Sequence, residues 1–304
     1  MNDELKLRYE RFVNRNGEIK RFCDILEKDE HFVMLVSGET GMGKTALHKR
    51  LLYECEEMRK IRWAETYWIN TRTYNYFAIL RKIRDDIGEI HFQHFTDLLN
   101  FFTESSYKLT LNVQNAGSIS VGDRMQVEHS EIENMIGQQI IIKDLNLNEP
   151  REDRAIREQE RMYKLTQEFI SDLEKALDGS PLVILVDDVE KMTSETGLWL
   201  WSEFIRGLML KGLTNVRFVL CVDNAPSLDE DVSSRVRIGK LQNLSEEYVV
   251  DYLKRRQVGG TDDARKELAE FIFSQTNGKP SAVASMVQTF TEFRTNKAEA
   301  AEDE

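Results

Sequence analysis

The stretch VSGETGMGKTAL at residues 36–47 carries residue types whose spacing suits the binding of a phosphate group. Within it, residues 38–45 match the pattern GxxxxGK[ST]. Glycines let backbone N–H groups turn inward around a phosphate, and the positive end of a following helix adds to the attraction. An apolar run of strand length precedes the motif and a helical pattern follows it, which is the context that the motif requires. The stretch therefore predicts a site for a nucleoside triphosphate.

Eight consecutive residues form this predicted phosphate loop: Gly38, Glu39, Thr40, Gly41, Met42, Gly43, Lys44 and Thr45. Lys44 is expected to reach the β- and γ-phosphates, and the hydroxyl group of Thr45 is expected to bind Mg²⁺. ATP and Mg²⁺ are the predicted cofactors. The alternative is a glycine-rich turn that binds no ligand.

Two carboxylates follow a second apolar run, LVILVDD at residues 182–188. Asp187, at the carboxyl end of the predicted strand, is expected to orient the Mg²⁺ through water. Asp188 lies one residue further on, where a carboxylate could polarise the attacking water, and Glu190 is a weaker candidate for the same task. The alternative is an ordinary turn after a core strand, because aspartate is common in such turns.

A third apolar run, VRFVLCVDN at residues 216–224, also ends in polar residues. In a parallel sheet the carboxyl ends of the strands face the ligand crevice. Asn224 could therefore form a hydrogen bond with the γ-phosphate or with the attacking water. A turn over the sequence VDNAPS is the alternative.

Strand and helix patterns alternate along much of the chain. Strand patterns occupy residues 31–37 and 62–70, and two further predicted strands lie in residues 181–192 and 216–224 and end in polar residues; helical patterns lie between them. Continuous apolar runs suit strands that are buried on both faces of a parallel sheet, and the alternation predicts βαβ units. The expected fold class is α/β, with a parallel-sheet P-loop core in residues 1–240.

Three segments depart from this alternation. Residues 105–149 contain short alternating patterns and turn signals, which predict a β-rich insertion that pairs with a partner or forms a flap. Residues 241–294 have only helical patterns and predict a helical lid domain. The acidic residues 295–304 are expected to be a disordered tail.

Composition limits the classes of partner. The 304 residues carry a formal net charge of -12, so the chain has no overall basic footprint for a nucleic acid. No apolar run approaches the ~20 residues that a membrane span needs, and the first residues lack the apolar core of a signal peptide. These features predict a cytoplasmic protein without a membrane partner.

The three cysteines are Cys23, Cys55 and Cys221. They are odd in number, lie far apart in sequence and include no CxxC pair. Neither a disulfide nor a metal site is therefore expected, and a reducing compartment suits them best.

Together these motifs resemble the AAA+ and STAND branch of P-loop ATPases. FVNRNGEIKRFCDIL at residues 12–26 is similar to the box that opens STAND and origin-recognition ATPases, although it has Asn-Arg-Asn-Gly where the family prefers Gly-Arg-Glu. The resemblance implies that Val13 and Arg15 lie against the adenine end of the nucleotide. TNGKP at residues 276–280 is similar to the GxP motif of STAND lids, which implies that Pro280 packs near the base. A helix–turn–helix corner is the alternative for this segment.

VDNAPSLDEDVSSRV at residues 222–236 is similar to the sensor 1 segment of origin-recognition proteins. That resemblance supports the assignment of Asn224 to the site. It also implies that Arg235 reaches the γ-phosphate of a neighbouring subunit, with Arg237 as the second candidate. An exposed arginine without such a role is the alternative.

The resemblance implies a homo-oligomer that nucleotide controls. We expect a regulatory ATPase, active in a bacterial conflict or antiviral defence system, that acts on a separately encoded effector or sensor, because neither a fused effector nor a winged-helix domain is recognised in the 304 residues. A DNA-binding AAA+ ATPase of the transposition or loader type, forming rings or filaments on DNA, is the alternative. A small-molecule kinase ranks last.

Overall fold

The structure, a computed structural model, describes residues 12–28, 30–66, 74–102 and 151–302, with the backbone alone for 151–156 and 293–302. The predicted β-rich insertion at 105–149 lies outside these residues, so it stays a prediction. No helix within the described residues is both long and apolar enough to cross a membrane.

Five strands form one sheet in the order β2-β3-β4-β1-β5. Their bounds are Val33–Ser37 (β1), Arg62–Thr66 (β2), Leu182–Val186 (β3), Val216–Val222 (β4) and Val236–Lys240 (β5). Every residue of β1, β3 and β4 is buried, which is why their sequences are continuous apolar runs. The sequence predicted these three strands. It also predicted a strand over residues 62–70, of which the structure describes residues 62–66 as β2. It did not predict β5, because a strand at the edge of the sheet has only one buried residue, Gly239.

Strand β1 pairs in parallel with β4 on one side and with β5 on the other. At its carboxyl end, Ser37 is aligned with Val222 of β4 and with Lys240 of β5. Strand β4 therefore separates β1 from β3. As a result, the residues that follow β4 come from a strand adjacent to β1, whereas those that follow β3 come from the next strand over.

Eleven helices are described, together with short 3₁₀ and π turns. They are Asn16–Glu27 (α1), Lys44–Tyr53 (α2), Tyr76–Ile87 (α3), residues 93–102 (α4), Arg151–Leu177 (α5), Ser194–Trp199 (α6), Arg206–Leu210 (α7), Glu230–Ser233 (α8), Glu246–Arg255 (α9), Asp262–Thr276 (α10) and Pro280–Glu302 (α11). π-helical turns extend α2 over Glu54–Arg59 and join α6 to α7 over Leu200–Ile205.

Two compact units divide the chain. The first comprises residues 1–61, 185–190 and 217–304, and the second comprises residues 62–184 and 191–216. Helices α9 to α11, which form the predicted lid, belong to the first unit, as does the phosphate loop. A boundary at residue 240 remains a proposal about domain organisation.

Helices α9 to α11 have an apolar cluster of their own. It comprises Leu244, Val249, Leu253, Val258, Ala269, Ile272, Val283 and Val287, all of which are buried. Helix α11 continues to Glu302, so residues 295–302 are helical where the sequence predicted disorder. Alanine and glutamate dominate this segment, and both have high helix propensity, which explains the continuation.

The core of the second unit is aromatic. Trp199 and Phe204 are 1% and 0% exposed, and their stacked rings lie 5.3 Å apart between centroids. The indole Nε1 of Trp199 donates a hydrogen bond to Thr166 Oγ1 at 2.8 Å, so the buried polar group of the ring has a partner. Trp201 is half-buried. Trp199 and Phe204 therefore belong to the core of this unit.

Candidate functional site

The phosphate loop joins the end of β1 to the start of α2. Gly41 and Gly43 have φ angles of 89° and 86°, in the left-handed region where residues with a Cβ are strained. The carbonyl oxygen of Glu39 accepts a hydrogen bond from the N–H group of Met42 at 3.1 Å, which closes the turn. Helix α2 begins at Lys44, directly after Gly43. The loop thus ends at a helix N-terminus, whose free N–H groups attract anions.

Lys44 lies folded back over this loop. Its side chain is 9% exposed, and Nζ donates a hydrogen bond to the carbonyl oxygen of Gly38 at 2.7 Å. Nζ also forms an ion pair with the carboxylate of Asp223, which directly follows β4. The sequence analysis named Asn224 at this strand end as a candidate for the γ-phosphate or the attacking water. The structure shows that the neighbouring Asp223 contacts Lys44 and that Asn224 is exposed.

The two aspartates after β3 differ in environment. Asp187 is 2% exposed, and its Oδ1 accepts a hydrogen bond from the backbone N–H of Asp188 at 2.9 Å. Asp188 is half-buried and has a φ angle of 56°. A left-handed backbone at a residue other than glycine is uncommon and is found preferentially at functional sites. Burial and the nearby Asp187 carboxylate hold the pKa of Cys221, in β4, well above its usual range.

Glu190 is the third carboxylate of this region. Partial burial raises the pKa of Glu190, and the negative charges of Asp223 and Asp188 raise it further. The positive charge of Lys44 and a hydrogen bond from the backbone of Glu190 oppose this shift. Charged groups that follow β3 and β4, together with Lys44, thus act on the ionisation of Glu190.

The segment before α1 contacts the loop from another direction. Arg15 is 5% exposed, and its guanidinium donates a hydrogen bond to the carbonyl oxygen of Met42 at 3.0 Å. Burial lowers the pKa of Arg15, while the negative charge of Glu18 opposes that shift. Val13 is also buried. The structure therefore attaches Arg15 to the loop backbone.

The corner between α10 and α11 lies against the same loop. The backbone N–H of Ser281 donates a hydrogen bond to the carbonyl oxygen of Gly41 at 3.0 Å. A Cβ atom added to Gly41 would lie 2.4 Å from Ser281 Oγ and 3.1 Å from Lys279 Cε. One added to Gly43 would lie 3.8 Å from Cβ of Pro280. Pro280 therefore faces the phosphate loop, and the sequence had not identified Lys279 and Ser281 as its neighbours.

Arg235 lies at the other end of β1 from the loop. Its carbonyl oxygen accepts hydrogen bonds from the N–H groups of Phe32 and Val33, at 2.8 and 3.2 Å. At about 3.3 Å per strand residue, the length of β1 separates these groups from the loop by roughly 15 Å. The side chain of Arg235 is exposed, whereas Arg237 lies within β5 and is half-buried. The structure thus keeps the backbone of Arg235 away from the loop of its own chain.

Comparisons with known proteins extend these observations. The AAA ATPase domain family matches residues 11–203, a range that includes the phosphate loop, Asp187 and Asp188. Residues 204–304, with Asp223, Arg235 and Pro280, lie beyond that match. No curated protein matches the sequence at a significant level.

The solved structures that are similar to this chain include the following three. Cdc6p from Pyrobaculum aerophilum is 15% identical with a TM-score of 0.51, over 94% of this chain and 64% of that one. A Drosophila ORC structure bound to DNA is 14% identical with a TM-score of 0.49, over 92% of this chain and 61% of that one. A STAND protein from Pyrococcus horikoshii with a tetratricopeptide repeat sensor is 14% identical with a TM-score of 0.42, over 88% and 28%. This chain thus spans less than two thirds of each.

The similarity to Cdc6p confirms the predicted fold class, an α/β P-loop module of the AAA+ type followed by helices. Membership of an ATPase family in turn implies nucleotide binding. Because the family match covers more than half of the sequence, and the loop that it includes has the geometry described above, this chain belongs to the AAA ATPase domain family.

Proposed function

We propose that this protein is an ATP-binding switch that hydrolyses ATP with Mg²⁺ and changes its contacts when the nucleotide is lost. The ion pair between Lys44 and Asp223 at the phosphate loop carries the proposal. A buried lysine that is held beside two left-handed glycines, at the start of a helix, is positioned for the phosphates of a nucleotide.

The residues at the loop fit ATP and Mg²⁺. Mg²⁺ prefers oxygen ligands, and the hydroxyl of Thr45 and the carboxylate of Asp187 supply them. Thr45 is exposed on the first turn of α2, and Asp187 is buried at the end of β3. Bound Mg²⁺ would neutralise charge on the phosphate oxygens. Val13 and Arg15 would hold the adenine end, with Pro280 against the base.

Asp188 is the proposed general base, and Glu190 is the alternative. A carboxylate in this position would accept a proton from the attacking water. Asn224, at the end of β4, would orient that water or the γ-phosphate. Its exposure leaves the side chain available for such a contact.

The switch depends on two contacts of the loop. Asp223 pairs with Lys44, so the phosphate oxygens of a bound nucleotide would compete with a carboxylate for this lysine. The carbonyl oxygen of Gly41 accepts a hydrogen bond from Ser281 at the start of α11, so a change in the loop reaches the helical lid directly. Differential contacts of this kind are what a ligand needs to shift a conformational equilibrium.

The protein is further proposed to act as a homo-oligomer. Arg235 is exposed and its backbone lies far from its own loop, which supports a role at the nucleotide of a neighbouring subunit. The oligomer would then bind a separately encoded effector or sensor of a conflict or antiviral defence system. The net charge of -12 favours protein partners over DNA.

Replacement of Lys44 tests the proposal. Lys44→Ala should weaken ATP binding at least about 30-fold, because loss of one partner of a buried charge pair costs roughly 2 kcal/mol or more. Isothermal titration of ATP would measure this change. Lys49→Ala removes an exposed lysine from the same helix, so it is the matched control. Equal affinities for the two variants would overturn the assignment of the site.

A gel-shift titration distinguishes the proposed switch from the alternative, a DNA-binding ATPase of the loader type. Duplex binding that falls steeply between low and high salt would support a DNA-binding ATPase, because each neutralised phosphate adds to the salt dependence. Absence of binding at low salt would support the protein-directed switch.

A further inference from the structure

Three buried side chains with metal-binding groups meet inside the first unit. They are His48 of α2, Asp187 at the end of β3 and Cys221 of β4, which are 1%, 2% and 0% exposed. One ligand atom from each residue lies within 4.8 Å of those of the other two. No local motif indicates the cluster, because its three residues lie far apart along the chain.

The dimensions of the cluster suit a tetrahedral metal ion. Zn²⁺ binds sulfur at about 2.3 Å and nitrogen or oxygen at about 2.0–2.2 Å, so its ligand atoms lie roughly 3.3–3.6 Å from one another. The observed separations of up to 4.8 Å require the side chains to close by about 1 Å. All three residues belong to the first unit.

The ligand types select a particular class of metal. A thiolate and an imidazole favour Zn²⁺ and similar transition metals, whereas Mg²⁺ is bound by oxygen atoms. Of the three residues, only Asp187 offers oxygen. The cluster therefore differs in chemistry from the proposed Mg²⁺ site, although the two sites share this one carboxylate.

We propose that His48, Asp187 and Cys221 bind a borderline divalent transition metal such as Zn²⁺, and that this metal inhibits the ATPase by withdrawing Asp187 from the Mg²⁺ site. Binding joins the metal to the sulfur of Cys221, and the thiol proton is released to solvent. The occupied site would also tie α2 to β3 and β4 and so stabilise the fold. The binding half stands independently, and the inhibition half rests on the proposed function.

Cobalt reports directly on the binding half. Co²⁺ added to chelator-treated protein without nucleotide should give one bound ion per chain and a near-ultraviolet charge-transfer band from the sulfur–cobalt bond. Zn²⁺ should abolish the band by displacement. Cys221→Ala should lose the band, and His48→Gln should weaken Co²⁺ binding at least about tenfold, in line with losses seen when metal sites lose a supporting group.

Cys23→Ala is the matched control, because Cys23 lies on α1 and is not part of the cluster. It should retain the band and the affinity of the wild-type protein. Persistence of the band in Cys221→Ala, or absence of any band in the wild-type protein, overturns the site. Thermal melting without metal checks that each variant is folded. Zn²⁺ should raise the melting temperature of the wild-type protein but not that of Cys221→Ala or His48→Gln, and this result supports the site.

Phosphate release with Mg²⁺ and ATP tests the inhibition half. Equimolar Zn²⁺ should lower turnover at least about tenfold in the wild-type protein, and Cys221→Ala should escape this inhibition. A cobalt band without inhibition by Zn²⁺ overturns the inhibition half and leaves the site in place. If the protein does not bind ATP at all, the proposed function and the inhibition half both fail, whereas the cobalt measurements still decide the site.

Discussion

Lys44 of the phosphate loop and Asp223 at the end of β4 form an ion pair in which the lysine is almost fully buried. The two residues are 179 positions apart in sequence. An anion that binds at the loop would compete with the Asp223 carboxylate for Lys44. We therefore expect nucleotide affinity to depend on a residue outside the loop motif.

Asp223→Asn should therefore raise the affinity for ATP. The substitution removes both the competitor for Lys44 and a negative charge near the nucleotide phosphates. A gain of about 5- to 10-fold is expected, which corresponds to roughly 1 kcal/mol for one charged hydrogen bond. Titration calorimetry would measure it, with Asp229→Asn, an exposed aspartate further along the same connection, as the control for net charge. A loss of affinity in Asp223→Asn would instead assign Asp223 to the binding of the nucleotide or its metal.

Asp188→Asn should bind ATP normally and release phosphate about 100- to 10 000-fold more slowly, the range for loss of a general base. Asparagine tolerates the left-handed backbone of this position, so the turn should be retained. Steady-state phosphate release would measure the change. Unchanged turnover would remove Asp188 from the role.

Glu190→Gln, assayed in parallel, separates the two candidate bases. If Glu190 were the base, its raised pKa would require a higher pH for the active, deprotonated form. As the pH is lowered, turnover would then begin to fall at a pH above the usual range for carboxylates. Glu190→Gln would in that case be the inactive variant. Wild-type turnover in Glu190→Gln together with loss of turnover in Asp188→Asn would assign the role to Asp188.

Gly278→Ala should destabilise the corner that holds the lid helices. Gly278 has a φ angle of 68°, and a Cβ atom there would lie 2.0 Å from the carbonyl oxygen of Leu244. Gly260 has a φ angle of 71° with no atom within 4 Å of an added Cβ, so Gly260→Ala isolates the backbone strain alone. We expect a loss of about 1 kcal/mol for Gly260→Ala and a distinctly larger loss for Gly278→Ala. Equal melting temperatures for the two variants would contradict the close approach at Leu244.

Arg235→Ala should lower ATP hydrolysis at least about tenfold, toward the loss of about 1000-fold or more seen for an arginine that reaches the phosphate from another subunit. ATP affinity of the isolated subunit should not change. Phosphate release by a mixture of Arg235→Ala and Lys44→Ala chains is the decisive measurement, because one supplies the intact loop and the other the intact arginine. Recovery of turnover in the mixture supports action between subunits. Arg237→Ala, assayed in the same way, tests the second candidate for this role.

The phosphate loop, strands β1, β3 and β4 and the lid helices could be predicted because each depends on residues that are close in sequence. The loop motif spans eight residues, and a strand buried on both faces must be apolar along its whole length. Strand β5 could not be predicted in this way. It lies at the edge of the sheet with one buried residue, so its sequence carries no apolar run. The helix over residues 295–302 could not be predicted in this way either, because an acidic segment near a chain terminus is typical of disorder as well as of helix.

The sequence by itself determined that a phosphate-binding loop follows a buried strand in an α/β AAA+ module, since spacing within a few residues encodes the backbone of that loop. Only the tertiary structure decided which distant groups meet it. The order of the strands places β4 next to β1, and this adjacency brings Asp223 rather than Asn224 to Lys44. The fold likewise brings Ser281 to Gly41, and Cys221 to His48 and Asp187. Such contacts follow from the packing of whole elements, which no local pattern of residues specifies.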